Sequence, residues 1–359
     1  MCKIYNTIGS LSTVKAHLLH HNINEFNSLN EVINFQKNFT SNRLQIISNQ
    51  EHLIEVEKNR LALDISQLDN SIGAQKIEIE NIIRNEIEKL EQDLRDLVLK
   101  QSNLIQRLFN YLKAWSFKKK IQLKKNHFDS NVNYSLRELV RTHADKKDRY
   151  QYIVSHRTEA IAESGLLPLR ELDRKKRIID EVNNSIYGAL GEQKVVKELE
   201  NLSDEYFLIN DFCLSFPKPI YNRQENDYIK SIQIDHVLIT NSGVFLIETK
   251  NWSDKTLNNL NLRSPVDQIR RTSFAVFKIL ADQFANTGLN LNQHHWGKRK
   301  VPIRNLIVLI NSKPKEEFQY VKILTLDELI GYIKYFKPTF SMGETQDIAD
   351  FFIRLTDRK

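Results

Sequence analysis

Hydrophobic residues in the first half of the chain recur at the spacing of a coiled-coil seam. The apolar positions alternate steps of four and three residues through Ile83, Ile87, Leu90, Leu94 and Leu97. This heptad spacing places apolar side chains in one stripe along a helix, where a second helix can cover them. Because glycine and proline are also scarce over residues 30–186, we predict that this region is a long α-helical, coiled-coil arm.

Two weaker signals divide the arm into separate helices. The polar stretch at residues 126–130 and the segment from Gly165 to Pro168 predict helix breaks, whereas the polar residues around Asn70 fit a stutter in the seam. Two long helices joined near residues 126–130 either fold back on each other or pair between two chains, and the spacing fits both arrangements. We expect the arm to be a spacer or to form a homodimer or higher oligomer.

From Gly188 the pattern changes to short apolar runs that alternate with amphipathic stretches. The apolar runs predict strands at about residues 206–214, 232–240, 244–251 and 303–310. The amphipathic stretches predict helices at about residues 192–202, 265–284, 325–335 and 344–355. The polar residues 218–230 are expected to form a loop between the first two strands.

This order of elements predicts the α/β fold class, with a mixed sheet flanked by helices and preceded by the long helical arm. We divide the chain into an N-terminal segment at residues 1–29, the arm at residues 30–186 and the α/β domain at residues 187–359.

Composition restricts the partners and the compartment. The 359-residue chain has a net charge of +7 and a pI of about 9.1, which favours a polyanionic partner, either nucleic acid or an anionic membrane surface. Its two cysteines, Cys2 and Cys213, are too few for a disulfide framework or a cysteine zinc site. No signal-peptide core and no apolar run of membrane-spanning length is present. We expect a cytoplasmic protein with no membrane span.

Three charged residues interrupt the two apolar strands on either side of the turn at residues 241–243. Asp235 lies in the first strand, and Glu248 and Lys250 lie in the second. A carboxylate inside a half-buried strand is costly unless a cation or a hydrogen bond compensates it. Glu248 and Lys250 are two residues apart and therefore share a face of the sheet, and antiparallel pairing around the turn places Asp235 nearly opposite Glu248.

This arrangement suits a divalent cation. Oxygen-only ligands favour Mg²⁺, Mn²⁺ or Ca²⁺ over zinc. Such an ion lowers the pKa of bound water and stabilises charge on a phosphoryl group, while a neighbouring lysine neutralises developing charge. The spacing of Asp235, Glu248 and Lys250 therefore indicates a metal-dependent enzyme that cleaves phosphodiester bonds.

The chain resembles the PD-(D/E)xK nuclease superfamily and, within it, the nuclease-related domain (NERD) family. The similarity covers about residues 188–280 and is carried by Gly191-Glu192, Ile234-Asp235-His236-Val237, Gly243-Val244-Phe245, Ile247-Glu248-Thr249-Lys250-Asn251-Trp252 and Gln268. It implies a restriction-endonuclease-like core that cleaves DNA with Mg²⁺ or Mn²⁺, and it suggests bacterial defence against foreign DNA as the setting.

The same resemblance implies roles for individual residues. Asp235 and Glu248 correspond to the principal metal ligands, and Lys250 corresponds to the catalytic lysine. Glu192 corresponds to an accessory acid near the metal, and Gln268 to a residue that positions phosphate or water. A solvated helix position remains an equal alternative for Glu192 and for Gln268.

Basic clusters extend the hypothesis to nucleic-acid contacts. Residues beside the expected site that we predict to bind the phosphate backbone are Arg270, Arg271, Lys298, Arg299 and Lys300. A second cluster, residues 118–120, follows Tyr111, Trp115 and Phe117. It fits a phosphate-binding surface, a membrane-facing surface or a solvated helix face.

Two further interpretations stay open. The alternative is a non-catalytic nucleic-acid-binding or scaffold protein that keeps the nuclease fold, although the intact acid and lysine positions speak against it. The sequence does not exclude RNA as the substrate. Among the histidines, His236 is expected to be a packed side chain beside the site. His294 and His295 are only a weak match to a zinc pair, because no further ligands occur at the right spacing.

Overall fold

The computed structural model describes residues 1–99, 104–252, 263–286, 300–314 and 316–356. The chain forms two compact units: Met1–Lys37 combines with Arg174–Lys359 in one, and Asn38–Asp173 forms the other. The chain therefore begins the first unit, builds the second, and returns to complete the first. The division that we predict at residues 29/30 and 186/187 differs from these limits and stays a prediction.

The described helices match most of the expected positions. In chain order they are α1 (Gly9–His20), α2 (Leu29–Leu99), α3 (Leu104–Asn126), α4 (Phe128–Ser155), α5 (Arg157–Glu181), α6 (Asn183–Leu199), α7 (Arg263–Asn286), α8 (Leu329–Lys334) and α9 (Met342–Thr356). A 3₁₀ turn, Leu326–Glu328, precedes α8, and the capping box predicted at Thr325 and Glu328 is present.

The first unit contains one six-stranded sheet in the described residues. Its strands are β1 (Lys3–Tyr5), β2 (Phe207–Asn222), β3 (Asp227–Thr240), β4 (Gly243–Lys250), β5 (Ile303–Leu309) and β6 (Val321–Thr325), and they lie side by side in this order. The β2–β3 and β3–β4 pairs are antiparallel, whereas β1–β2, β4–β5 and β5–β6 are parallel. The predicted α/β class, with a mixed sheet and a long helical region, is confirmed.

Both faces of the sheet are covered, which explains why its central strands are almost continuously apolar. On one face, Val237 and Leu246 pack in the same cluster as Ile269 of α7. On the other face, Ile247 packs in a second cluster with Val195 of α6. A charged residue on β4 is therefore held in an environment from which water is largely excluded.

The hairpin between β3 and β4 forms as predicted. Thr240 pairs with Gly243, whose φ of +131° is open to glycine but strained for other residues. A side-chain carbon at this position would also lie 2.5 Å from the carbonyl oxygen of Pro302. The turn therefore requires glycine, and it fixes the register of the two strands that carry the charged residues.

The loop predicted at residues 218–230 is wrong. β2 and β3 continue through most of this segment, with Ile220 paired to Ile229 and Tyr221 paired to Tyr228. The two tyrosine rings lie 4.8 Å apart between their centroids. Aromatic and β-branched cross-strand pairs stabilise a hairpin even when the residues between them are polar.

The second unit is an antiparallel arrangement of helices within one chain. Helix α2 runs opposite to the succession α3–α4–α5, as the ion pairs Glu86–Lys124, Asp64–Lys146 and Arg43–Asp173 indicate. Residues 126–130 contain only a helix break at His127, and both α3 and α4 pack against α2. The seam positions Ile83 and Ile87 are buried against α3 and α4 of the same chain.

The helix break predicted near Pro168 is also wrong. α5 continues through Pro168, and the chain breaks instead at His156 and Val182. A proline inside a helix removes one backbone hydrogen bond, but packing against a neighbouring helix can compensate this loss. Here Ser164 donates a 2.5 Å hydrogen bond to Oε1 of Gln50 in α2.

Candidate active site

The register of β3 and β4 brings the first two candidate residues together. His236 pairs with Ile247, so the next position along each strand places Asp235 across from Glu248. Oδ2 of Asp235 accepts a 2.7 Å hydrogen bond from the backbone N–H of Thr249. This bond ties the Asp235 carboxylate to the end of β4, beside the side chain of Glu248.

Glu248 is a buried carboxylate that is only half satisfied. Nζ of Lys250 donates a 2.6 Å hydrogen bond to Oε1 of Glu248. The second oxygen, Oε2, is buried and has no hydrogen-bond partner among the described residues. A carboxylate oxygen without a partner is unfavourable in a protein interior, so Oε2 of Glu248 is an atom to which a ligand could bind.

Glu192 reaches the same end of the sheet from α6. It is buried, and Ser10 of α1 donates a 2.5 Å hydrogen bond to its Oε1. The preceding Gly191 allows α6 to approach β4 closely, because a side-chain carbon there would lie 3.0 Å from Cβ of Asn251. Asn251 in turn donates a 2.8 Å hydrogen bond to the carbonyl of Tyr187. These contacts fix the start of α6 against the end of β4.

The carboxylates interact electrostatically. Burial raises the pKa of Asp235 well above its ordinary value, and the charges of Glu248 and then Glu192 raise it further. Burial also raises the pKa of Glu192, although the hydrogen bond from Ser10 opposes this shift. Asp235 and Glu192 thus both disfavour ionisation in the folded protein, and a nearby cation would favour their charged forms.

Lys250 carries the compensating charge. Burial alone lowers its pKa, but the charge of Glu248, the hydrogen bond to it and the charges of Asp235 and Glu192 outweigh burial. The pKa of the ammonium group is therefore raised, and Lys250 stays protonated at neutral pH.

The three carboxylates offer the oxygen ligands that a hard cation prefers, but they are not tightly clustered. Among the described residues, one group of three potential metal ligands has all its ligand atoms within 4.8 Å of one another. This group is His17, His21 and Glu181. The set formed by Glu192, Asp235 and Glu248 is more open than this. The acids still interact electrostatically, because the charges of Glu248 and Glu192 both raise the pKa of Asp235.

His236 is a packed residue, as predicted. Its Nδ1 lies 2.8 Å from Oδ1 of Asn210, and complete burial lowers its pKa to about 3. The imidazole is therefore neutral at physiological pH and supports the strand rather than exchanging protons.

Gln268, Arg270 and Arg271 make no described contact with the carboxylates. Gln268 is exposed on α7, and no described hydrogen bond joins it to Asp235, Glu248 or Lys250. On the same helix, Nη2 of Arg270 donates to the carbonyl of Gln319 at 2.8 Å. Nε of Arg271 lies 3.0 Å from Oδ2 of Asp227. Both arginines thus bind groups of their own chain, and their nucleic-acid role stays a prediction.

The last basic cluster is only partly within the described structure. Lys300 is exposed just before β5. Lys298 and Arg299 lie outside the described residues, as do His294 and His295.

Sequence reasoning missed three residues that support the site: Ser10, Asn210 and Tyr187. Ser10 comes from a helix that we did not predict, and it is 182 positions away from Glu192. The side chain of Asn210 contacts His236, and the backbone carbonyl of Tyr187 accepts a hydrogen bond from Asn251. Neither partner can be identified without the fold. Asn251 belongs to the motif that carries the family resemblance, but no nearby residue in the sequence predicts its hydrogen bond to Tyr187 of α6.

A mixed sheet with two carboxylates and a lysine at the end of its central hairpin is the arrangement expected of a nuclease-like hydrolase. Residues 187–310, about a third of the chain, match the family model described as nuclease-related domain. The resemblance based on the motif is thereby confirmed, and this part of the chain is similar to nuclease-related domains. The chain has no significant match among curated proteins or among solved structures.

Proposed function

We propose that the protein is a metal-dependent endonuclease that hydrolyses phosphodiester bonds in DNA. The observation that carries the proposal is the buried Glu248 carboxylate, whose Oε2 has no partner among the described residues, beside an Asp235 whose pKa is raised. The nuclease-related domain and the net positive charge of the chain support a nucleic-acid substrate.

Asp235 and Glu248 are the residues that would hold Mg²⁺ or Mn²⁺, with Glu192 as the accessory acid. When bound, the ion would supply positive charge to a phosphoryl group and make a water molecule more acidic. The raised pKa of Asp235 predicts that protons compete with the cation, so that metal affinity falls as the pH falls.

Lys250, Ser10 and Gly191 have separate roles in this proposal. Because Lys250 stays protonated, it acts as a fixed cation and hydrogen-bond donor for negative charge, and not as a general base. Ser10 holds the Glu192 carboxylate in place, and the close packing of Gly191 sets the distance of α6 from the strand end. Burial of these groups excludes bulk water and strengthens their electrostatic effect.

Nicking of supercoiled plasmid tests the proposal. The wild-type protein is expected to cleave with Mg²⁺ or Mn²⁺ and to stop when the ion is chelated, whereas Lys250→Met should lose about 10²–10³-fold in rate. His17→Ala/His21→Ala is the matched control, because it removes the other possible metal-binding set and should leave cleavage unchanged. Equal nicking by wild type and Lys250→Met would contradict the proposal, and a parallel RNA substrate identifies the preferred nucleic acid.

The setting that we propose is bacterial defence against foreign DNA, as the family resemblance suggests. Cells that express the wild-type chain are expected to resist bacteriophage better than cells that express Lys250→Met. Equal plating on both strains would remove this setting while leaving the enzymatic proposal intact.

One observation favours a second candidate, a non-catalytic nucleic-acid-binding or scaffold protein. Lys250 already occupies Oε1 of Glu248, so the acids are partly neutralised by the chain itself. DNA binding that survives chelation, with no cleavage under either metal, would support this alternative. In either case, homodimerisation remains a proposal, and light scattering of the full chain tests it.

A further inference from the structure

Helix α3 carries an apolar stripe that the described residues of the chain do not cover. Leu108, Leu112 and Trp115 follow one another at the i, i+4, i+7 spacing, and Phe109 and Tyr111 flank them. All five side chains are between 58% and 72% exposed. We name these five residues the outer stripe. Single exposed apolar residues are common, but a contiguous group of large ones marks a binding surface.

The stripe faces away from the packed side of the helix. Ile121 is buried in one cluster with Ile83, Ile87 and Val132. Nine residues separate Leu112 from Ile121, which is about two and a half helical turns and therefore places them on opposite sides. The outer stripe is not a displaced part of the coiled-coil seam, because the seam is satisfied on the other face.

The charges on α3 itself have a single sign, whereas Glu86 and Asp93 of α2 face Lys120 across a groove. Helix α3, Leu104–Asn126, contains no Asp or Glu. Lys113, Lys118, Lys119 and Lys120 accompany the stripe, and Nζ of Lys119 lies 5.4 Å from the ring centroid of Trp115. By contrast, Lys124 and Lys125 further along the helix bind Glu86 and Glu91 of α2. The lysines beside the stripe have no such acidic partner among the described ion pairs.

We propose that the outer stripe binds the surface of an anionic phospholipid bilayer, with α3 lying in the plane of the interface. Leucine and phenylalanine would enter the acyl boundary, tryptophan and tyrosine would lie at the headgroup level, and the lysines would contact anionic headgroups. None of the described helices is long and apolar enough to cross a membrane.

The residue types separate this ligand from two others. DNA offers phosphates to the lysines but nothing that would bind exposed leucines, so it leaves the apolar half of the surface unused. A second copy of the chain would cover the leucines but would place lysines of the same sign against one another. Anionic lipid matches both halves of the surface.

Vesicle co-sedimentation of the full-length protein tests the inference. We expect binding to vesicles of phosphatidylcholine with phosphatidylserine, and much weaker binding to phosphatidylcholine alone. Leu108→Ser/Leu112→Ser should weaken binding at least about tenfold. Lys118→Gln/Lys119→Gln/Lys120→Gln should lose roughly fivefold per lysine and abolish the preference for anionic vesicles. Leu63→Ser, at an exposed leucine of α2, is the matched control and should bind as the wild type does.

The possible failures are distinguishable. Equal binding by wild type and Leu108→Ser/Leu112→Ser would overturn the inference. If the wild type binds no vesicles and the lysine variant loses DNA binding, the surface binds DNA and the inference is wrong. If the wild type binds no vesicles and the leucine variant has a lower molecular mass in solution, the surface binds a second copy of the chain and the inference is again wrong. Because the stripe lies in the helical unit, Leu108→Ser/Leu112→Ser should nick plasmid at the wild-type rate, so failure of this inference leaves the nuclease proposal untouched.

Discussion

Two contacts between lysine and glutamate have nearly the same length but opposite surroundings. In the sheet, Lys250 and Glu248 lie 2.6 Å apart, with side chains 24% and 4% exposed. In the helical unit, Lys124 and Glu86 lie 2.5 Å apart, with side chains 38% and 52% exposed. Exposed pairs contribute little to stability, about 0–1 kcal/mol, because water solvates both partners well. The buried pair loses that solvation and leaves one carboxylate oxygen without a partner.

The exposed pair, Lys124 and Glu86, has the surroundings of a solvated surface contact. The buried pair, Lys250 and Glu248, has the surroundings expected of a functional site. An apolar pair of similar volume would pack on β4 at no such cost, so burial of Glu248 is not explained by stability. In the helical unit the apolar seam supplies the stability and the charges line its edges. Substitutions at matched positions in the two regions should therefore have opposite consequences.

The largest contrast is expected between Glu248→Gln and Glu86→Gln. Loss of the buried carboxylate removes a proposed ligand of the proposed cation, so plasmid nicking should fall about 10²–10³-fold. Loss of the exposed carboxylate should change the rate by less than about twofold, because a surface pair contributes little. Initial nicking rates at saturating Mn²⁺ measure both. Similar losses in the two variants would erase the distinction between the regions.

Two glycines sharpen the contrast in stability. Gly191→Ala introduces a carbon 3.0 Å from Asn251 and 3.3 Å from Thr249, so overpacking should cost about 1–3 kcal/mol and move Glu192 from the site. Gly73 lies inside α2 with no atom within 4 Å of the added carbon, and Gly73→Ala should stabilise that helix by up to about 1 kcal/mol. Hydrogen exchange of each unit reports both effects, and equal signs would contradict the packing argument.

Asp235→Asn is expected to raise the melting temperature by a few degrees at neutral pH without divalent ions. The pKa of Asp235 is raised in the folded protein, so its ionised form costs stability once the pH exceeds the unfolded value. The gain should vanish below that value, where Asp235 is protonated in both states. Asp64→Asn should not raise the melting temperature at any pH, because the hydrogen bond from Lys146 lowers the pKa of Asp64. Calorimetry across pH tests both signs.

The smallest effect is expected for Ser10→Ala. The hydrogen bond from Ser10 opposes the upward shift of the Glu192 pKa, so its removal should raise that pKa further. The acidic limb of the nicking rate should then move to higher pH, while the rate on the alkaline side changes at most a few-fold. Thr13→Ala, which removes an exposed hydroxyl bond on the same helix, should leave the profile in place. A uniform loss at every pH would instead indicate a purely structural role.

Local patterns predicted the parts of the fold that local forces decide. The heptads around Ile83 and Ile87 predicted the long helices, and the turn at residues 241–243 predicted the register that places Asp235 across from Glu248. The family resemblance added Glu192, which the spacing alone did not connect to the strands. In each case the signal lies within a few residues or in a motif of fixed order.

The parts that escaped prediction depend on contacts between distant segments. β1 has only three residues, too few for a periodic signal, and it is ordered by pairing with β2. The hairpin extension after Ile220 has polar residues that hide the cross-strand pairs, and Pro168 is tolerated because α2 supports α5. Gln268 has the expected sequence position, but its exposure on α7 could not be derived from spacing.

The order of segments along the chain also has a consequence for biosynthesis. Met1–Lys37 is translated before the rest of its unit, so β1 can pair only after β2 has been made, and the whole of Asn38–Asp173 comes between them. Loop closure over such a distance adds only a modest entropic cost, because that cost grows with the logarithm of the loop length. The helical unit can therefore fold during synthesis before the first unit is complete. Until β2 is synthesised, β1 stays unpaired and accessible to chaperones.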